Sequence, residues 1–323
     1  MSNTNLFTRL IGGAAVAATV LGLAAPSLAA DWPQGNLTMI IPSSPGGGFD
    51  TYARVLGQVM TEQLGVQVIP RNISGAGGQR GATAAYTAKP DGNTFATFNV
   101  PGIIEPVISG DKVGYDIDKI DWLGAMAFNQ YIVVVAKDSP YNTIDDLKAA
   151  GKTITFTGYG SSGLAANRIL CSEVGIECQI ITGYPGNNDA LLGVVRGDAI
   201  ASVTPITTAA SFNTAGDLKG ILLMSNRPVA EFPDTPGADT AGYPAVASLG
   251  LIRAFGLPPE VPAETRAAFG AAFDKAMTSE DITKWSKDTN SPFEPMSADE
   301  LKQLISDQTS LLMKYKDILA APN

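Results

Sequence analysis

A glycine-rich loop with the sequence Ile41-Pro42-Ser43-Ser44-Pro45-Gly46-Gly47-Gly48-Phe49-Asp50 connects a predicted strand to a predicted helix. The apolar run 37–41 predicts the strand, and the apolar spacing over 51–64 predicts a helix that ends at Gly65. Glycines allow a sharp turn that bares backbone N–H groups, and a helix start carries partial positive charge. The loop is therefore either an anion site made of backbone donors or simply a tight connection, and both interpretations stay open.

The following segments continue this alternation. The sequence predicts a strand at 66–69, a second glycine loop at 71–78, a helix at 79–88 and a strand at 94–100. This β-α-β-α-β order indicates a parallel sheet with helices on both faces. Ligands of such sheets bind beyond the carboxyl ends of the strands, where these loops lie.

A second set of the same kind begins at the strand predicted over 153–157. It leads into Gly158-Tyr159-Gly160-Ser161-Ser162-Gly163 and a helix, and another strand follows at 179–182. The buried run 131–135 precedes this set and predicts a crossing between two units. Two successive units of one design predict an α/β protein with two lobes, each a mainly parallel sheet flanked by helices, and a ligand cleft between them.

The lobe boundaries follow from the end of the chain. The segment 227–243 is rich in proline, glycine and aspartate and predicts a return linker, and 249–257 predicts a strand returning to the first lobe. We therefore assign residues 31–130 and 243–323 to a discontinuous first lobe and residues 131–242 to the second.

Residues 1–30 have the composition of a signal peptide. Arg9 gives a positive start, 10–23 is an apolar, alanine-rich core, and 26–30 ends in small residues that suit signal peptidase. The apolar core is short for a membrane span. We expect export to the periplasm with cleavage after Ala29 or Ala30.

The composition excludes several classes of function. The 323-residue chain has a formal net charge of −9, which disfavours nucleic acid as a partner, and it contains no histidine. Without histidine there is no Ser-His-Asp or Cys-His pair and no histidine metal site, so we predict no catalytic residues, no metal and no cofactor. Cys171 and Cys178 are either a disulfide or two buried thiols.

The hexapeptide 158–163 also matches the dinucleotide-binding fingerprint G-x-G-x-x-G. That fingerprint requires an acidic residue at the end of the next strand, but here this strand ends at Thr182-Gly183-Tyr184, and Glu177 precedes it. An exported nucleotide-binding enzyme is therefore the weakest alternative. What remains is a serine-bearing helix start at Ser161 and Ser162, or a pair of ordinary helix caps.

Short motifs of one family recur along the mature chain. They are Pro42 to Asp50 with Ala53-Arg54, Asn72 to Gly78, Pro90-Asp91-Gly92, Gly160-Ser161, Tyr184-Pro185-Gly186, Gly197-Asp198, Phe232-Pro233-Asp234 and Pro258 to Pro262. In this order they resemble the tripartite tricarboxylate transporter solute receptors, the Bug or TctC family. The resemblance implies a two-lobe periplasmic binding protein that delivers organic anions to a membrane permease. Family ligands include di- and tricarboxylates, aromatic acids, amino acids and nicotinate-type compounds.

Three departures from the family pattern lie around the predicted cleft. Arg71 stands where an acidic residue usually precedes the asparagine, Ile73-Ser74 replaces Arg-Pro, and Pro185 replaces a lysine. The identity of the ligand should therefore not be copied from any relative.

The predicted ligand-binding residues lie on loops that follow strands and open helices in both lobes. They are Ser43, Ser44, Gly46, Gly47, Gly48, Phe49, Asp50, Ser74, Gly75, Ala76, Gly77, Asn99, Gly160, Ser161, Ser162, Tyr184, Asn187 and Thr204. Phe49 and Tyr184 are expected to shape or close the cleft, and Asp50 to cap its helix and fix the loop.

The predicted function is that of a non-enzymatic, monomeric receptor for a small organic carboxylate. Its partners are the carboxylate and the permease subunits of a tripartite tricarboxylate transporter. The alternatives are an exported sensor for a membrane kinase, which sequence cannot separate from transport, and an exported enzyme, for which no acid–base pair is evident.

Overall fold

The computed structural model of the protein describes residues 32–226, 228–289 and 291–320. The predicted signal peptide and its cleavage site lie outside these residues. Within the described ranges, no helix combines the length and the apolar character that crossing a membrane requires.

The first five elements follow the predicted alternation of strands and helices. They are β1 (Leu37–Ile41), α1 (Gly48–Leu64), β2 (Val68–Asn72), α2 (Gln79–Tyr86) and β3 (Thr94–Val100). The strands are parallel, as predicted, and lie in the order β2-β1-β3. The helix α1 begins at Gly48 rather than at residue 51, because Gly47 takes the extended N-cap conformation inside the glycine run. An apolar pattern cannot register a helix turn made of glycine.

Sixteen further elements follow in the described chain. They are α3 (Glu105–Ser109), β4 (Asp121–Ala136), α4 (Ile144–Ala149), β5 (Ile154–Thr157), α5 (Gly160–Val174), β6 (Cys178–Ile181), α6 (Asn187–Arg196), β7 (Ala201–Pro205), α7 (Ile206–Ala215), β8 (Leu218–Met224), β9 (Gly250–Leu257), α8 (Ala263–Met277), α9 (Glu280–Asp288), β10 (Met296–Ser297), α10 (Ala298–Lys314) and α11 (Lys316–Leu319).

One long strand, β4, joins two parts of a mixed sheet. Its residues 121–130 pair with β9, whereas its residues 131–136 pair with β7 and β8. One part has the order β2-β1-β3-β9-β4, and the other continues as β4-β7-β5-β6. The pairs of β4 with β9, β7 and β8 are antiparallel, while β5 pairs with β6 and β7 in parallel. The mixed sheet thus has antiparallel pairs at its centre and parallel pairs towards its outside.

The segment that contains α7 and β8 carried no predicted element. The sequence of α7, ITTAASFNTA, is rich in threonine, serine and asparagine, which are weak helix formers. Its start is set instead by Pro205, which ends β7 in an extended conformation immediately before the helix. Tertiary packing against β4 and β8 therefore overrides a weak local preference.

An apolar cluster between the sheet and two helices holds the first glycine loop in place. Leu56 and Met60 of α1 are fully buried, as is Phe269 of α8. Phe95 of β3 packs edge-on against Phe269, with ring centroids 5.1 Å apart. Burying each such side chain stabilises the fold by about 1.5–3 kcal/mol. This packing positions the start of α1 above the ends of β1 and β3.

Cys171 and Cys178 form a disulfide in the structure, with Cα atoms 6.1 Å apart. The bond joins the end of α5 to the start of β6. Gly175 ends α5 in the left-handed conformation, with φ of 73°, and so permits the turn between the two cysteines. Of the two open interpretations, the structure adopts the disulfide.

Candidate functional site

The loop before α1 is fixed by a buried carboxylate. One oxygen of Asp50 accepts hydrogen bonds from the backbone N–H of Gly46 at 2.9 Å and from Nε of Arg54 at 2.8 Å. The other accepts from Nδ2 of Asn72 at 2.8 Å, and the same amide group donates to the carbonyl oxygen of Ser43. The predicted capping role of Asp50 is wrong, because the N-cap is Gly47 and no side chain caps the helix. Asp50 is the third residue of α1, within its first turn, and its carboxylate holds the loop through Gly46 and Asn72.

The electrostatics of Asp50 agree with this bracing role. Burial alone would raise the pKa of the Asp50 carboxyl, but hydrogen bonds from Arg54, Gly46 and Asn72 together outweigh it and hold the pKa below its ordinary value. The carboxylate therefore stays ionised and already has three donors. It has little capacity left to act on a ligand.

The braced loop presents backbone donors to solvent. Residues 44–48 are exposed, and the first N–H groups of any α-helix have no partner within the helix. Gly46 adopts φ of 81°, a conformation that L side chains rarely take. The hydroxyl oxygen of Ser43 is buried beneath the loop without a hydrogen-bond partner. An oxyanion placed at this loop would meet several unpaired donors.

The start of α5 reaches the loops that follow β2 and β3. The hydroxyl of Ser162 donates to Oδ1 of Asn99 at 3.0 Å, and that of Ser161 donates to the carbonyl oxygen of Gly102 at 3.3 Å. Asn99 in turn donates to the carbonyl oxygen of Gly77 at 3.2 Å. The structure thus brings four predicted residues, Gly77, Asn99, Ser161 and Ser162, into one network.

Gly77 is the tightest point of this network. A Cβ atom on Gly77 would lie 2.4 Å from Oγ and 2.9 Å from Cβ of Ser161. Gly77 also has φ of 62°, so both the contact and the backbone require glycine.

Other predicted residues lie at the ends of elements outside this network. Ser74, Gly75 and Ala76 are exposed in the loop after β2. Thr204 is buried on β7 opposite Ile132, and its hydroxyl has no hydrogen-bond partner.

The predicted second-lobe residues beyond α5 are placed differently. Gly160 and Asn187 are the first residues of α5 and α6. The hydroxyl of Tyr184 lies against Gly193 of α6, at 2.6 Å from where a Cβ would stand. Tyr184 therefore packs on α6, and a role for it in the cleft stays a prediction.

A buried arginine on β9 was not among the predicted residues. Arg253 is 6% exposed and pairs directly with Asn99 of the neighbouring strand β3. Its guanidinium group donates through Nη1 to Oδ1 of Asn129 and lies 4.3 Å from the ring centroid of Tyr52. A Cβ on Gly48 would stand 2.8 Å from its Nη2 atom. The signal was present in the sequence as one charged residue inside the apolar run 249–257.

A separate open cavity of about 440 Å³ lies beside the junction of β4 and α7. Asn129 and Thr207 contribute to its wall, together with Lys287 and Glu294. None of the predicted ligand-binding residues belongs to its described lining. Nδ2 of Asn129 donates to the hydroxyl of Thr207 at 3.3 Å, so the Asn129 side chain contacts both a residue of the cavity wall and Arg253.

The groups gathered at the two helix starts are suited to binding. They comprise backbone N–H groups, the hydroxyls of Ser161 and Ser162, and one guanidinium group. The N–H and guanidinium groups are hydrogen-bond donors that can hold an oxyanion, while the two hydroxyls donate to Asn99 and to the carbonyl oxygen of Gly102 and can turn towards a ligand. Within the described ranges no three acidic or cysteine side chains gather closely enough to hold a metal ion.

Comparison with known proteins places the chain in a family. Residues 52–321 match the family model described as the tripartite tricarboxylate transporter family receptor. A UPF0065 protein in the gbd 5' region of Cupriavidus necator is 28% identical over 288 residues, which is 84% of this chain and 86% of that protein.

Solved structures share the fold over nearly their whole length. A TctC solute-binding protein from Polaromonas, solved without ligand, is 20% identical, with a TM-score of 0.72, covering 89% of this chain and 99% of that one. MatC from Rhodopseudomonas palustris with bound malate is 22% identical, with a TM-score of 0.75 and the same coverage. The chain belongs to the tripartite tricarboxylate transporter family of receptors.

Proposed function

We propose that this protein is an exported receptor that binds a small organic carboxylate between its two lobes and delivers it to the permease of a tripartite tricarboxylate transporter. The observation that carries the proposal is the contact of α5 with the loops after β2 and β3. Through it, Ser161 and Ser162 come to the same place as Gly77 and Asn99. Donors from two distant parts of the chain therefore face one small region, as a closing binding site requires.

The ligand's carboxylate lies at the loop 44–50, where the unpaired N–H groups of α1 point. The partial positive charge at the N-terminus of α1 attracts the anion. The buried Asp50 keeps the loop in shape without competing for the ligand. The rest of the ligand faces the hydroxyls at the start of α5. Because these hydroxyls are neutral, this end of the site accepts a polar group, or a second carboxylate once the hydroxyls turn towards it from Asn99 and Gly102.

The lobes we propose are residues 31–130 with 243–323, and residues 131–242. The pairing of β4 supports this division, because its partner strand is β9 up to Gln130 and its partners are β7 and β8 from Tyr131 onwards. A rotation of the second lobe about this strand would open and close the site. Periplasmic location and removal of residues 1–29 or 1–30 complete the proposal, and the intact mass of the mature protein tests the cleavage.

A thermal-shift screen with matched acid and amide pairs tests the binding function. The pairs are malate with malamide, adipate with adipamide, benzoate with benzamide, and nicotinate with nicotinamide. A ligand that binds only the native state stabilises it by about 2.7 kcal/mol at a concentration 100 times its Kd. We expect at least one acid to raise the Tm, its amide to have little effect, and NMR to detect no turnover.

Two outcomes would contradict this proposal. If no acid raises the Tm, or if acids and amides are equally effective, the site is not a carboxylate site. If the purified protein converts the acid into a product, the protein is an enzyme.

A further inference from the structure

Arg253 is a buried cation in the middle of a strand. On β9, between β3 and β4, it is paired directly with Asn99 and Ala127, and it is 6% exposed. Paired residues of neighbouring strands point their side chains to the same face of a sheet. The guanidinium group therefore shares a face with Asn99, which is part of the network at the start of α5.

In the described part of the chain, no carboxylate forms an ion pair with this guanidinium group. Among the residues that the structure describes, six ion pairs form and none includes Arg253. Its Nη1 atom donates to the neutral amide of Asn129, while its Nε atom is buried without a partner. Burial lowers the pKa of Arg253, and the groups that oppose this effect are Tyr52 and Tyr131 rather than an acid.

The aromatic neighbours stabilise the cation only in part. Its central carbon lies 4.3 Å from the ring centroid of Tyr52 and 5.5 Å from that of Phe49. Cation–π contacts of this kind contribute attraction but no hydrogen-bond acceptor for the remaining N–H groups. A buried charge without an opposite charge is costly, so its retention calls for a partner that binds later.

The free side of Arg253 faces the start of α1. A Cβ on Gly48 would stand 2.8 Å from Nη2, so the guanidinium occupies the space into which a side chain at the first helical residue would project. Gly48 leaves room for this approach, which any other side chain would obstruct. The partial positive charge of the helix start and the full charge of Arg253 thus coincide, and an anion beside them would satisfy both.

We propose that Arg253 is the charge-bearing ligand contact of this receptor and that it selects a carboxylate over its neutral analogues. This inference rests on the proposed function and names the group that recognises the ligand's charge. The planar guanidinium matches a carboxylate through two parallel hydrogen bonds, which backbone N–H groups alone cannot offer. Asn129 holds the guanidinium in place through Nη1 and leaves the Nη2 side for the ligand.

Two substitutions at the charge site test this role. Arg253→Met removes the charge while keeping a long apolar side chain. Asn129→Asp keeps Arg253 and provides an internal carboxylate at the same position. Arg253→Met removes the cation that the ligand would bind. Asn129→Asp leaves this cation in place but pairs it with a carboxylate of the protein.

Arg266 offers a matched control. This arginine donates to the carboxylate of Asp121 at 2.7 Å and to the carbonyl oxygen of Trp122, so its charge is already compensated. Arg266→Met should lower the ligand-free Tm and leave ligand binding unchanged. Arg253→Met should do the opposite, because removing an unpaired buried charge leaves the Tm equal or higher.

The measurement is calorimetry at constant ionic strength with whichever of malate, adipate, benzoate or nicotinate stabilises the wild type, beside its amide. We expect Arg253→Met and Asn129→Asp each to weaken binding of the acid by roughly 10- to 100-fold and to remove its preference over the amide.

The proposal is overturned if the wild type binds an acid and both variants bind it equally well. It is also overturned if Arg253→Met fails to fold while Asn129→Asp binds like the wild type, since Arg253 would then be structural. A wild type that binds none of the acids would refute the proposed function itself.

Discussion

The two glycine-rich helix starts, those of α1 and α5, look alike in sequence but differ in their surroundings. The start of α1 lies against a buried guanidinium group and is braced by the carboxylate of Asp50. The start of α5 meets neutral partners instead, namely the side chain of Asn99 and the carbonyl oxygen of Gly102. In the proposed receptor, the first therefore supplies charge and a rigid shape, while the second supplies hydroxyls and closure.

This difference shows that a glycine-rich loop does not by itself define an anion site. The same strand, loop and helix order makes a charged site at α1 and a closing contact at α5. What distinguishes them comes from other parts of the chain, from β9 in one case and from the loops after β2 and β3 in the other.

The charged start is tested most strongly by Gly48→Pro. Proline is favoured at the first position of a helix, and the preceding Gly47 already has the extended conformation that proline requires, so α1 should remain. The substitution removes one N–H donor and places atoms 2.8 Å from Nη2 of Arg253. We expect the affinity for an organic acid to fall by roughly 100-fold or more in calorimetry.

A matched control exists at the start of α10. Ala298 is the first residue of that helix, and its N-cap Ser297 has φ of −66° and ψ of 167°, close to the −77° and 167° of Gly47. Ala298→Pro should leave binding unchanged. Equal affinity in wild type and Gly48→Pro, with both proteins folded, would remove α1 from the site.

The closing contact is tested by Gly77→Ala. The added methyl group would overlap Oγ of Ser161 and force a left-handed alanine, so closure should be impeded and binding weakened by about 1–3 kcal/mol. Adding Ser161→Gly removes both overlapping atoms. The double variant should therefore bind better than the sum of the single changes predicts, as calorimetry on all four proteins would show.

Gly110→Ala controls for backbone strain in this experiment. Gly110 also has a left-handed φ, of 86°, but nothing lies within 4 Å of its would-be Cβ. It should lower the Tm without changing the affinity. A Gly77→Ala variant that binds like Gly110→Ala would show that α5 does not need to reach Gly77.

The bracing carboxylate is tested by Asp50→Asn, which turns one acceptor oxygen into a donor facing other donors. We expect a loss of about 1–3 kcal/mol in the free energy of unfolding at pH 7. The folded pKa of Asp50 lies below its unfolded value near 4, so its contribution is present above about pH 4 and is lost as pH falls through the folded pKa. The acid side of the stability curve should therefore be flatter in the variant.

Asp146 is the control for this change, because its carboxylate also accepts backbone hydrogen bonds, from the N–H groups of Asn142 and Thr143 at the exposed start of α4. Asp146→Asn should affect stability only, whereas Asp50→Asn should also weaken acid binding. An Asp50→Asn variant with unchanged affinity would show that the loop holds its shape without the carboxylate.

The sequence predicted the elements that local patterns control. β1 and β3 have the predicted bounds, because each is an apolar run between turn-forming residues. Ser297 and Glu300 form a capping box at the start of α10, in the local S-x-x-E pattern of such boxes. The segment of α7 was missed, because its residues prefer a helix only in the context of the sheet.

The sequence predicted the site residues that lie on loops or at the ends of elements. It did not predict the one residue whose role depends on the pairing of distant strands. Gly77, Asn99, Ser161 and Ser162 meet as neighbours, and each lies on a loop or an element end that sequence can locate. Arg253 could not be assigned to the site from the sequence, because its place there depends on β9 lying beside β3 and under α1. That arrangement is a long-range property of the fold, and no spacing within 249–257 encodes it.

We expect the charged group of the ligand to bind at the start of α1 and not at the start of α5. A crystal structure of the protein with the tightest-binding acid of the panel tests it most directly. We expect one carboxylate within hydrogen-bonding distance of both the guanidinium of Arg253 and a backbone N–H at Gly48 or Phe49, with Ser161 and Ser162 facing the rest of the ligand. A carboxylate bound only at α5, or an acid held in the cavity beside Thr207 and Lys287 without contact to Arg253, would contradict it.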